Sequence, residues 1–144
     1  MIKFCMPELP EKYWVNNLTY KCESCGSTFE VLIPNGNDIV KFKEINGSEI
    51  RWLPTFSKGG YIDLMTKIIE GHKLNDSIDM KKATLFISKL QGYIEKSSHG
   101  NGFELSVDKR ICPQCNSENL KIIQENVLVN PELQWLKILC DLLK

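Results

Sequence analysis

The sequence lacks an excess of either charge: eighteen Lys and Arg balance eighteen Asp and Glu in 144 residues. A balanced chain is not a general polyanion binder, so nucleic acid or an anionic membrane would require a local basic patch. It also lacks a long apolar run. No stretch approaches the roughly 20 residues that span a bilayer. Residues 1–10 carry no apolar segment of the kind that directs secretion. No nucleophile–base spacing and no paired carboxylates in a recognisable setting occur, which points away from catalysis. Internal repeats and low-complexity tracts are absent too. These absences make a cytoplasmic protein the default reading. In a reducing compartment, six cysteines are read as metal ligands or buried thiols before disulfides.

What is present reads as one domain, residues 1–144, of mixed α+β class. Pro7 and Pro10 make the first 16 residues irregular. Thr19 to Lys21 reads as a strand, and the β-branched and aromatic run Thr28 to Ile33 as its return. Asn35-Gly36 and Asn46-Gly47 are two-residue turn signals. Together they predict an antiparallel meander over residues 28–53. The period then changes. Tyr61, Leu64, Met65, Ile68 and Ile69 share one helical face, with Gly71 as a stop. A second helix is predicted from Asp79 to Lys96, with Ala83, Phe86, Ile87, Leu90, Tyr93 and Ile94 on its apolar side. Strands are predicted at Phe103 to Val107 and Leu120 to Gln124, the latter resuming at Val127 to Val129. Asn130 and Pro131 are suited to the cap and first position of a terminal helix over about 131–143.

The chemistry lies in two short turns, Cys22-Glu23-Ser24-Cys25-Gly26 and Cys112-Pro113-Gln114-Cys115-Asn116. Two residues between cysteines let a tight turn bring both sulfurs to one side, where backbone N–H groups offset their negative charge. One turn supplies half of a tetrahedral thiolate site and two complete it. Gly26 and Asn116 are residue types that tolerate the positive φ such a turn needs on leaving. The pattern Tyr20-Lys21-Cys22, Cys25-Gly26, Phe29, with Cys112-Pro113 and Cys115, resembles the zinc-ribbon or rubredoxin-like group. That resemblance covers about 35 residues and implies a fold and one zinc ion per chain, not an activity. The 86 residues between the turns, 26 to 111, exceed the connection of an ordinary ribbon. Loop-closure entropy grows only logarithmically with length, so the gap is permitted. The ribbon is then split: halves at about 17–33 and 103–129, with the meander and two helices inserted at about 34–102. Iron in four thiolates, a redox dithiol and two disulfides are the competing readings. Cys5 and Cys140 read as buried thiols, and His72 and His99 have no partner at motif spacing.

Two segments are candidate partner surfaces. The terminal segment, with Trp135, Leu136 and Leu139, is apolar over most of its circumference if helical. It would be buried in its own core, or dock on a second copy or a protein partner. The segment from Arg51 to Tyr61 holds Trp52 and Tyr61, residue types enriched at binding hot spots. Its Lys58-Gly59-Gly60 could offer N–H groups to an anion ahead of a helix. Lys21, Lys109 and Arg110 flank the cysteine turns and form a small basic patch for nucleic acid, diluted by Glu23 and Glu118. The sequence therefore predicts a non-enzymatic zinc-stabilised interaction protein, with a nucleic-acid-binding ribbon and an iron electron carrier as alternatives.

Overall fold

A computed structural model describes residues 2–72, 86–106 and 110–144. The chain is mixed α+β, and among the described residues the strands form three small sheets that pair antiparallel. It forms two compact units, each assembled from separated stretches of sequence. The first comprises Met1–Glu11, Ile39–Ser106 and Leu133–Lys144; the second comprises Lys12–Asp38 and Val107–Glu132. Among the described residues, no helix is long and apolar enough to cross a membrane.

In the first unit, β4 (Ile39–Glu44) and β5 (Ile50–Pro54) form a hairpin, and β6 (Phe103–Leu105) pairs with the other edge of β4. Asn46 closes the hairpin turn at φ 59°, a conformation that asparagine tolerates. Helix α1 (Tyr61–His72) buries Leu64 and Ile68 of its predicted face, while Tyr61 and Met65 are half-buried and Ile69 is exposed. With Phe42, Leu53, Leu90, Ile94, Phe103, Leu136 and Ile138, Leu64 and Ile68 form the core. Each such side chain contributes roughly 1.5–3 kcal/mol on burial. Tyr61 lies half-buried between Phe42 and Phe86, with ring centroids at 6.0 and 6.4 Å.

The terminal helix over 131–143 does not form. Residues 133–139 are extended, and a short 3-10 turn follows at Cys140–Leu143. Main-chain bonds account for the difference. The N–H of Trp52 donates to Gln134 O (2.9 Å) and that of Leu136 to Trp52 O (2.8 Å), so the segment covers the outer edge of β5. The N–H of Glu95 donates to Lys137 O and that of Leu139 to Tyr93 O, both at 2.9 Å. Burial then alternates: Leu136 and Ile138 are inside, and Lys137 is exposed. The segment is apolar on nearly all sides because it is a strand among packed neighbours, not a helix. The same pairing shortens the second helix. Residues 86–90 are helical, but Tyr93 to Glu95 are drawn into extended pairing instead of continuing to Lys96. Asp79 and Ala83 lie outside the described residues.

The beginning of the chain is more regular than its prolines predict. Strand β1 (Phe4–Cys5) pairs with β8 (Ile138–Leu139), setting Phe4 opposite Leu139 and Cys5 opposite Ile138. This brings Cys5 to Cys140, and the two form a disulfide. The reading of both as buried thiols is thereby corrected. It failed because 135 positions separate them and only the β1–β8 pairing brings them together.

The second unit is a three-stranded sheet with β2 (Trp14–Cys22) between β3 (Thr28–Pro34) and β7 (Leu120–Val129). β7 is one strand with an irregularity at Ile123: Thr19 faces Gln124 and Tyr20 faces Ile122. The predicted meander over 28–53 is corrected here, since β3 and β4 belong to different sheets. Asn35 explains it. Its N–H donates to Trp14 O (3.2 Å) and its side-chain amide to Asn16 Oδ1 (3.0 Å). The Asn35-Gly36 signal thus fastens the end of β3 to β2 and does not turn the chain toward β4. β6 likewise pairs with β4 and not with the strands around the cysteines.

Candidate metal centre

The sheet of the second unit brings the two cysteine turns to one end. β2 finishes at Cys22, opposite Leu120 where β7 begins, and β3 leaves at Thr28. Both turns have the same internal bonding. The N–H of Cys22 donates to Ser27 O and that of Gly26 to Cys22 O, at 2.9 and 2.8 Å. The N–H of Cys112 donates to Ser117 O and that of Asn116 to Cys112 O, both at 2.9 Å. Gly26 and Asn116 leave the turns at φ 78° and 61°. That left-handed conformation is open to glycine and, among other residues, best tolerated by asparagine or aspartate.

The four sulfurs of Cys22, Cys25, Cys112 and Cys115 lie within 4.8 Å of one another. Across the two turns, Cys22 and Cys115 are 3.5 Å apart and Cys25 and Cys112 are 3.6 Å apart. A tetrahedron with metal–sulfur bonds of about 2.3 Å has sulfur–sulfur edges of about 3.8 Å. A disulfide would require about 2.0 Å. The donor set therefore fits one tetrahedral ion, and these four sulfurs are not paired as disulfides. All four ligand positions are supplied by the chain, so the site is closed. Cys22 and Cys112 are buried, while Cys25 and Cys115 face solvent.

Hydrogen bonds surround the sulfurs. Ser27 Oγ lies 3.0 Å from Cys25 Sγ and 3.3 Å from Cys112 Sγ. The N–H of Gln114 approaches Cys112 Sγ at 3.4 Å. Outside the cluster, Ser24 Oγ and Ser117 Oγ meet at 2.8 Å and join the two turns. The Ser27 hydroxyl is the main cause that lowers the Cys112 thiol to about 6, against burial and with help from the N–H groups of Cys115 and Gln114 and the Cys25 thiol. The Ser27 hydroxyl likewise lowers Cys25. The Ser117 backbone draws Cys115 down, but Cys22, burial, Cys25 and Cys112 outweigh it and push that thiol up to about 12. Four thiolates cannot coexist at such distances without a cation, so a metal that binds must displace protons.

The other predicted residues are dispersed. Trp52 and Leu136 are buried at 2% and 1% exposure and belong to the core of the first unit. Tyr61, Trp135 and Leu139 are half-buried. Phe56, within the same 51–61 segment, is 70% exposed. Within the Lys58-Gly59-Gly60 stretch, the N–H groups of both glycines are taken by the chain itself: Gly59 donates to Asp63 Oδ2 and Gly60 to Ser57 O, both at 2.8 Å. An anion has no N–H to claim from those two glycines. Lys21 and Arg110 are exposed, and Lys109 lies outside the described residues, as does the side chain of His72. His99 Nδ1 faces the buried carboxylate of Glu44 at 3.1 Å.

Sequence reasoning missed the serines of the two turns, of which Ser27 reaches the sulfurs. A signal was present, because both turns read Cys-x-x-Cys, then Gly or Asn, then Ser. It also missed the Glu44 cluster, in which Ser97, His99 and Asn101 converge on one carboxylate. Nothing in the local sequence of Glu44 marks it as buried. Comparison of the chain with protein-family models, curated proteins and solved structures found no match.

Proposed function

We propose that this is a non-enzymatic, zinc-stabilised interaction protein in which Cys22, Cys25, Cys112 and Cys115 hold one structural zinc ion. The supporting observation is the sulfur tetrahedron, with cross-turn edges of 3.5 and 3.6 Å and every ligand position filled by protein. Zinc suits four thiolates in a closed site, where it contributes folding energy instead of activating water. The ion would fasten residues 12–38 to residues 107–132, the two stretches of the second unit. This is the split-ribbon role inferred from sequence. A cytoplasmic setting would keep these four thiols reduced, whereas the Cys5–Cys140 disulfide is a bond of the kind an oxidising compartment maintains.

The interaction role draws on exposed apolar side chains. Ile122, Ile123, Val127 and Val129 on β7 are 44–56% exposed. β7 is an edge strand of its sheet. Apolar edge strands mark contact surfaces or aggregation hazards. The buried Trp52 and Leu136 cannot serve this role, so the proposed surface moves from the terminal segment to β7. A protein partner should be retained by the wild-type chain and lost by Val127→Lys with zinc still bound. Retention by the variant would remove β7 from the reading.

One observation favours nucleic acid as a second reading. Lys21 and Lys121 sit directly opposite each other on β2 and β7, and both are exposed. Like charges in that position repel unless an anion lies between them. Binding to DNA or RNA that weakens steeply with salt, and weakens further in Lys21→Ala, would support it. No binding at low salt would remove it. A visible absorption spectrum separates iron from zinc.

A further inference from the structure

We infer that Ser27 is a positioning residue of the metal centre, its hydroxyl bracing the edge of the sulfur tetrahedron where the two turns meet. The inference rests on the metal-site reading above and deepens it. Cys25 and Cys112 come from different turns, 87 positions apart in sequence, with their sulfurs 3.6 Å apart. Ser27 Oγ reaches both, at 3.0 and 3.3 Å. No other side-chain hydroxyl of the described residues stands within hydrogen-bond distance of two of these sulfurs.

The two turns differ at one hydroxyl, that of Ser27. Ser27 follows Cys25 by two residues, and Ser117 follows Cys115 by two. Their main chains are equivalent, since each carbonyl accepts from the first cysteine of its own turn. Their hydroxyls differ. Ser27 turns inward to the sulfurs, whereas Ser117 turns outward to Ser24 at 2.8 Å and accepts the N–H of Asn119 at 3.1 Å. One turn thus carries a sulfur-directed hydroxyl and the other does not.

Four thiolates around a divalent cation leave a net charge of about −2 on the centre, by the formal charges of its parts. A hydroxyl that donates to a coordinated thiolate withdraws part of that charge and fixes the sulfur's direction. Such outer partners are worth about 10–100-fold in metal affinity. Ser27 has one proton and two sulfur neighbours, so it donates to one at a time and stays in contact with the other. Loss of the hydroxyl leaves both sulfurs of that edge more electron-rich.

The test is a competition titration of the full zinc-loaded chain against a chelating indicator, for wild type, Ser27→Ala, Ser27→Thr and Ser117→Ala. Ser27→Ala should lose about 10–100-fold in zinc affinity. Ser27→Thr keeps the hydroxyl and should stay within about threefold of wild type, and Ser117→Ala, whose hydroxyl bonds Ser24 on the exposed side and is directed at no sulfur, should lose clearly less than Ser27→Ala. The cobalt-loaded forms supply a second readout. Removing a hydrogen bond from a coordinated thiolate raises its donor orbital, so the sulfur-to-cobalt band of Ser27→Ala should move to longer wavelength. Ser117→Ala should leave the band in place. The assignment is overturned if Ser27→Ala keeps wild-type affinity and an unshifted band while the wild-type chain binds one ion. It is equally overturned if Ser117→Ala loses as much as Ser27→Ala. A wild-type chain that binds no ion refutes the metal reading itself, and this assignment with it.

Discussion

Alternate truncation of the terminal segment distinguishes a strand from a helix at single-residue resolution. Leu136 and Ile138 are 1% and 0% exposed, and Lys137 between them faces solvent. Leu136→Ala or Ile138→Ala removes three carbons from a closed core. At about 0.8 kcal/mol per buried methylene this costs about 2.4 kcal/mol. The cavity left behind adds about 1 kcal/mol or more, since leucine or isoleucine to alanine in a core costs about 2–5 kcal/mol overall. Lys137→Ala should stay within about 0.5 kcal/mol, as exposed substitutions do. The main-chain bond from Glu95 to the carbonyl of residue 137 survives it. The assay is urea unfolding followed by circular dichroism at fixed zinc concentration. Costs of about 3, 0 and 3 kcal/mol along 136, 137 and 138 would have a period of two, the signature of a strand. Neighbours two apart on a helix point to nearly opposite sides. A cost below about 1 kcal/mol at either Leu136 or Ile138 would refute the core assignment. So would a cost at Lys137 equal to its neighbours.

Two further outcomes concern the first unit. Cys5 and Cys140 join the first and last stretches of that unit across a separation of 135. Loop-closure entropy for a ring of that size gives up to about 5 kcal/mol, and native disulfides commonly yield about 2–5. Cys5→Ser should therefore lower the unfolding midpoint without changing the metal content, and an unchanged midpoint would show that the bond contributes nothing. Glu44 is buried, and its carboxyl is held down to about 2 by the Ser97 hydroxyl first, against burial, with help from Asn101, His99 and the backbone of Glu49. A depressed carboxyl contributes stability that is complete above its ordinary value of 4.5 and is lost as pH falls toward 2. Wild type should lose stability through that window more steeply than Glu44→Gln does, and parallel acid profiles would contradict this.

The part of the structure legible in sequence was the part whose determinants are local. Two residues between cysteines dictate a turn, and the Gly26 and Asn116 exits mark where each ends. The face of α1 could be read from Leu64 and Ile68 because a helix satisfies its own backbone. The errors share a cause, namely partners remote in sequence. Leu136 and Ile138 have a composition suited to a buried helix, and only Trp52, Tyr93 and Glu95 make that segment a strand. Asn35-Gly36 carries a turn signal that the backbone of Trp14 redirects. Cys5 and Cys140 give no sign of each other until β1 finds β8. The disulfide staples the first unit, and the free cysteine quartet stands where the two stretches of the second unit meet.

The quartet carries the account, and its most direct test is the metal content of the full chain. Native mass spectrometry and elemental analysis, made on protein purified under reducing conditions, should give one zinc per chain for wild type. Cys112→Ser and Cys22→Ser, which remove buried ligands, should bind zinc much more weakly. Chelation of wild type should unfold the second unit, because a structural zinc contributes on the order of 10 kcal/mol. A wild-type chain that is folded, metal-free and indifferent to both zinc and chelator would contradict the account.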